Sequence, residues 1–111
     1  MDRNTYTYTL SYLPLFYDDL EERVVYLSDV LCNPDAANEL IDAVEKAITD
    51  RLPNAESFEK YHSRKERKLP YYRIYVKEYT IYYVVITDGP GKKIMEVRRI
   101  LHNLQDRDQY I

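Results

Sequence analysis

Seven side chains in the second half of the chain carry proton-moving or anion-binding groups: Arg73, Lys77, Arg98, Arg99, His102, Arg107 and Tyr110. Guanidinium and ammonium groups hold a phosphate and stabilise the extra charge of its transition state. Imidazole, phenol and amine groups move protons to and from hydroxyls. Such a set has what RNA cleavage needs without a metal, because the ribose 2′-OH serves as the internal nucleophile. Tyrosine rings add stacking surfaces for unpaired bases. The same residues also suit an ordinary solvated sheet face, so residue types alone leave both readings open. Other chemistries find no comparable set. His62, His102 and Cys32 lack the spacing of metal ligands, and there is no nucleophile elbow. With 2 Gly in 111 residues, a glycine-rich phosphate cradle is excluded.

Charge is divided along the chain. Residues 1–57 hold 4 Lys+Arg against 12 Asp+Glu, a net of −8, and residues 58–111 hold 12 against 7, a net of +5. A total of −3 argues against a nucleic-acid partner, but a polyanion responds to the local field of one face, and the split keeps that possibility alive. Hydrophobic residues at 45% are enough for a packed core. No apolar run approaches the ~20 residues of a membrane span. The N-terminus lacks the apolar stretch of a signal peptide, and a single cysteine, Cys32, fits a reducing, cytosolic setting. Cys32 itself is expected to be a small core or boundary residue.

The elements that must position these groups follow from periodicity. Thr5 to Tyr12 alternate, with Tyr6, Tyr8, Leu10 and Tyr12 on one face, which predicts a strand. Pro14 opens a helix whose apolar stripe, Phe16, Leu20, Val24, Leu27 and Leu31, predicts continuity to Leu31. Asp18, Asp19, Glu21 and Glu22 lie toward its positive end. Asn33-Pro34-Asp35 restarts a helix as cap, first residue and dipole partner, and Ala37, Leu40, Ile41, Val44, Ala47 and Ile48 carry it to about Arg51. The short link predicts a helical hairpin.

Pro53 to Pro70 is polar and rich in cations, and its pattern fits a loop as well as a short exposed helix. Three strands follow: Tyr71 to Val76, Tyr79 to Thr87, and Lys93 to Leu101, the last with Met95, Val97 and Leu101 on one face. Lys77-Glu78 and Asp88-Gly89-Pro90-Gly91 are the turns between them. The expected fold is α+β: one domain over residues 1–111, a four-stranded antiparallel sheet with the helical hairpin on one face. Strict alternation puts Arg99 with Met95 and Val97, and His102 with Arg98, so Arg99 and His102 share a face only if a bulge intervenes. A half-buried ion pair between Arg99 and a helix carboxylate such as Glu45 is an equally good use of that residue.

Four strings, in order, resemble the RelE/ParE toxin superfamily. YTLSYLPLFYDDLEERVVYLSDVL resembles its opening strand and first helix, and NPDAANELIDAVEKAI its second helix. YYRIYVKEYTIYYVV resembles its central strand pair, and EVRRILHNLQD its last strand. The resemblance implies the toxin of a bacterial type II toxin–antitoxin system. Such a toxin is cytoplasmic, needs no cofactor, and is held inactive in a hetero-oligomer by a cognate antitoxin that covers the working face.

Arg73, Tyr79, Tyr83, Arg99 and His102 match family positions, with Lys77 and Tyr110 as plausible additions. The superfamily has two activities. RelE-like members cleave messenger RNA on the ribosome and block translation. Here Arg73, Lys77, Arg99, His102 and Tyr110 would be catalytic, and Lys60, Arg64, Lys65, Arg98 and Arg107 would hold the RNA. This is the first expectation. The alternative is a ParE-like inhibitor of DNA gyrase with no catalytic activity, and a third reading is a non-toxic remnant of the fold. The chain departs from the family at Leu104 and Gln105, where basic residues are common. A partner is expected at the tyrosines of the first strand and at the sheet edge.

Overall fold

The computed structural model describes residues 6–61 and 68–111. Strand β1 (Thr7–Tyr12) leads into helix α1 (Pro14–Val25), and helix α2 (Pro34–Arg51) follows. Strands β2 (Lys60–Tyr61), β3 (Tyr71–Val76), β4 (Tyr79–Thr87) and β5 (Lys92–His102) complete a sheet of order β1-β5-β4-β3-β2. The fold is α+β as expected, but the sheet has five strands and is mixed, not four-stranded and antiparallel. β1 runs parallel to β5, and the other pairs are antiparallel. Alternation reveals a strand but not its direction, which depends on how the helices return the chain across the sheet. β2 is two residues long, too short to leave a period in the polar stretch. No helix among the described residues is long and apolar enough to cross a membrane.

α1 starts where the ladder stops. Leu13 is still extended and its N–H donates to the Val97 carbonyl at 2.9 Å, while Pro14 gives up no hydrogen bond at the first helical position. Phe16 is the fully buried residue of this helix. The helix is not continuous to Leu31. At Tyr26–Val30 the winding widens to a π turn, closed by Leu31 N–H donating to the Tyr26 carbonyl. Leu27 still packs on the core, but the extra residue per turn carries Leu31 outward to 53% exposure. Cys32 then takes a positive φ of 51° and is exposed, not the core or boundary residue expected. The stripe of α2 behaves as read: Ala37, Leu40, Val44 and Ile48 are buried, and the Asn33 side chain accepts from Ala36 N–H.

Both helices contribute to one core. Phe16, Leu40, Val44 and Ile48 pack with Tyr72, Ile74, Ile81, Tyr83, Met95 and Val97 of the sheet. The opposite face carries a second cluster, Tyr71, Tyr82, Val84, Leu101 and Ile111. A bulge decides who faces where. Tyr82 pairs with Arg99 and Tyr83 with Val97, so Arg98 is the extra residue of β5. Met95 and Val97 before the bulge and Ile100 after it join the helix-side core. Leu101, expected beside Met95 and Val97, turns to the other face with Tyr82.

Tyr8, Tyr82 and Tyr83 each supply a ring to a core cluster and a hydroxyl to a polar partner. Tyr83 is completely buried, donates to the Ala55 carbonyl at 2.7 Å and accepts from Arg51 at 3.0 Å. Burial pushes its pKa up. Tyr8 donates to Glu56, which also pairs with Lys93 at 2.6 Å. Burial, then the bond to Glu56, pushes the Tyr8 hydroxyl up to about 12. At Glu56 burial pushes upward, but the bonds from Lys93 and Tyr8 outweigh it and leave the carboxyl below its usual value.

A carboxyl whose pKa is lowered by folding stabilises the fold above its unfolded pKa and loses that contribution as pH falls through the folded one. Glu56→Gln should therefore cost no more than about 1 kcal/mol at pH 7, given the partial exposure of the group. The gap to wild type should close below about pH 4. Urea unfolding of both proteins at pH 7 and pH 3 measures this, and an equal gap at both would contradict it.

Candidate functional site

The face away from the helices is built on alternate residues of β3 and β4 and on β5 beyond the bulge. Tyr72, Ile74 and Val76 point to the helix-side core, so Arg73 and Tyr75 project from the opposite side. Arg73 pairs across the ladder with Tyr82. Its guanidinium lies over the Tyr61 ring at 4.5 Å and near the Tyr75 ring at 5.7 Å. Arg107, in a 3₁₀ turn at Arg107–Gln109, lies over the same Tyr61 ring at 5.0 Å and hydrogen-bonds Tyr82. Burial raises the Tyr82 pKa, and Arg107 opposes that shift.

Arg99 is held differently. Nε and Nη2 each donate to Asp19 of α1 at 2.7 Å, a bidentate pair with both side chains mostly buried. Asp19 Oδ2 also accepts from Ile100 N–H at 3.1 Å. The guanidinium lies 5.0 Å from the centre of the Tyr110 ring. The Asp19 bonds push its pKa further up, so its charge is permanent. The partner is Asp19 rather than Glu45. Arg98, the bulged residue, pairs with Glu96 at 2.9 Å.

His102 points the other way. It pairs with Tyr79, a helix-side residue, and its ring meets Tyr79 edge-on at 5.2 Å. Nδ1 accepts from Leu104 N–H at 3.1 Å, and Nε2 stands 3.6 Å from Glu78. The bulge lies before Arg99, so it flips Arg99 and His102 together and leaves them on opposite sides. Lys77 occupies the two-residue turn between β3 and β4 with a positive φ of 54° and is exposed. Lys60 is exposed on β2. Arg64 and Lys65 lie outside the described residues.

The structure thus gathers Arg73, Arg99, Arg107 and Tyr110 on the open face, and leaves His102 at the strand end with its ring on the helix side. A phosphate can meet a guanidinium fork on the open face. A proton donor must lie within hydrogen-bond reach of the same substrate, and the ring of His102 is turned from that face. A pocket of about 170 Å³ opens beside Arg107, between Tyr75, Thr80, Tyr82, Asn103 and Gln105. His102, at the strand end, borders it and also a 350 Å³ groove toward Tyr26 and Leu27.

Sequence reasoning missed Tyr61 and Asp19 as members of this site. Tyr61 is an isolated aromatic in a charged stretch and gives no periodic signal. Asp19 stands three residues after the buried Phe16, which places a carboxylate on the sheet-facing flank of α1. That spacing was the available clue.

Comparison with known proteins gives one family and one fold. The family model described as ParE toxin of type II toxin-antitoxin system, parDE, matches residues 10–107. No curated protein matches the chain. Among solved structures, a chain of the chromosomal ParDE toxin–antitoxin system from P. aeruginosa superposes with a TM-score of 0.61 at 12% identity. The match covers 86% of this chain and 96% of that one, and at this identity it shows a shared fold.

Removing one charge of the Arg99–Asp19 pair strands the other in a mostly buried site. Asp19→Asn should cost about 3 kcal/mol in urea unfolding and accelerate amide exchange at Ile100. A loss under about 1 kcal/mol would mean that the pair behaves as a surface contact.

Proposed function

The chain belongs to the ParE toxin family of type II toxin–antitoxin systems, and from that premise we propose that it inhibits DNA gyrase by binding, without cleaving RNA. A toxin of this kind has an antitoxin partner, and both target and antitoxin are proteins. The observation that carries the reading is the division of the cationic and acid–base groups. Arg99 spends two donors on Asp19, and the His102 ring is turned to the opposite side of the sheet from Arg73 and Arg107.

RNA cleavage through the 2′-OH asks for more than a phosphate-binding fork. One group must take the hydroxyl proton, another must give a proton to the departing 5′-oxygen, and a cation must meet the phosphate between them. Arg73 and Arg107 supply the cation. His102 would have to leave its contacts with Tyr79 and Leu104 N–H and turn its ring from the helix side to act beside them. Tyr110 stays near the open face, but its ring lies against Arg99, which is already paired. Inhibition by binding asks only for a shaped surface. The open face offers aromatic rings and guanidinium forks of the kind that anchor protein interfaces.

Purified protein should inhibit gyrase supercoiling at a concentration that leaves messenger RNA intact in a ribosome-dependent cleavage assay. In bacteria lacking the antitoxin, His102→Ala should arrest growth as wild type does. Codon-dependent RNA cleavage with gyrase unaffected, and abolished by His102→Ala, would overturn the proposal in favour of a nuclease.

A further inference from the structure

Four arginines of known surroundings lie on β3, β5 and the segment after it, and they fall into two pairs. Arg98 and Arg99 are neutralised within the molecule, by Glu96 and Asp19. Arg73 and Arg107 make no ion pair with a carboxylate among the described residues. Both rest instead on Tyr61, and Arg107 also feels the charge of Asp108. A guanidinium held over a ring keeps N–H donors for a carboxylate, and the one bond of Arg107 to Tyr82 leaves it further donors. Tyr75, 66% exposed, and the 170 Å³ pocket beside Arg107 extend the same surface.

We infer that Tyr61, Arg73 and Arg107 form a clamp for an acidic segment of the antitoxin, which sets Asp or Glu carboxylates on the two guanidinia. The inference rests on the reading of the chain as an antitoxin-bound toxin. Charge decides between a protein carboxylate and a nucleic acid. Two forks balance one or two carboxylates. A nucleic acid presents phosphates in succession and needs several cations along its path. Among the described residues the neighbouring Arg98 and Arg99 are already paired, with Glu96 and Asp19.

Isothermal titration of the purified toxin with its cognate antitoxin, at low and high salt, tests the clamp. Arg73→Gln and Arg107→Gln should each weaken binding about 10- to 100-fold and flatten its salt dependence. Arg73→Lys should recover part of the loss, since it restores charge without the fork. Thermal melting checks that each variant is folded. Arg107→Glu, on an exposed turn, gives a second reading that should weaken binding further still. Unchanged affinity in folded Arg73→Gln and Arg107→Glu overturns the clamp. So does tighter binding of a dT12 oligonucleotide that these variants abolish while antitoxin affinity persists. If wild type fails to bind the antitoxin at all, the underlying reading fails, a result distinct from loss of the clamp alone.

Discussion

The carboxylate of Asp19 does for β5 what a sixth strand would do. β1 pairs with β5 only from Lys92 to Val97, so the last five residues of β5 have no neighbour strand on that side. Leu13 N–H takes the Val97 carbonyl, and Asp19, one and a half turns into α1, takes Ile100 N–H. A carboxylate so little exposed is costly unless paired, and Arg99 pairs it with two parallel bonds. The arrangement attaches α1 to the sheet at a defined angle and height. It also gives Arg99 a structural use, since two of its donors are spent on holding a helix.

The rest of the sheet is organised by what tyrosine permits. A phenylalanine at position 83 would fill the same space but leave the Ala55 carbonyl and Arg51 without their buried partner. Tyr72 stacks on Tyr83 at 5.2 Å and continues the aromatic layer toward Tyr8 and its Glu56–Lys93 pair. On the opposite face Tyr82 meets Tyr71 edge to face and Tyr61 at a tilt, and Tyr61 carries Arg73 and Arg107. One residue type thereby seals the helix side and equips the open side, and at Tyr8, Tyr82 and Tyr83 the hydroxyl meets a polar partner.

Local rules made much of this legible. The Asn33-Pro34 start of α2, its buried stripe, both turns and the three late strands follow from caps, period and turn residues. What escaped depends on partners distant in sequence. The direction of β1 is set by a strand some eighty residues away, and β2 exists only because β3 lies beside it. The bulge at Arg98 reverses the faces of every later residue of β5, and nothing in Glu96-Val97-Arg98-Arg99 announces it. The π turn is invisible to a stripe that steps by threes and fours, because the stripe continues through it in sequence while the backbone does not. For the site, the cations were visible as residue types. Their division between internal carboxylates and Tyr61 required the coordinates.

The pairing of the first strand with the last has a kinetic side. β3, β4 and β5 are joined by tight turns and can zip together from local contacts, whereas β1 must close a loop spanning most of the polypeptide. During synthesis the opening segment emerges first and waits longest, since its docking groove does not exist until β5 has been made. The threonines that alternate with its tyrosines keep one side of that waiting ribbon polar. The amino-terminal strand can therefore pair only after the carboxy-terminal part of the sheet has been made.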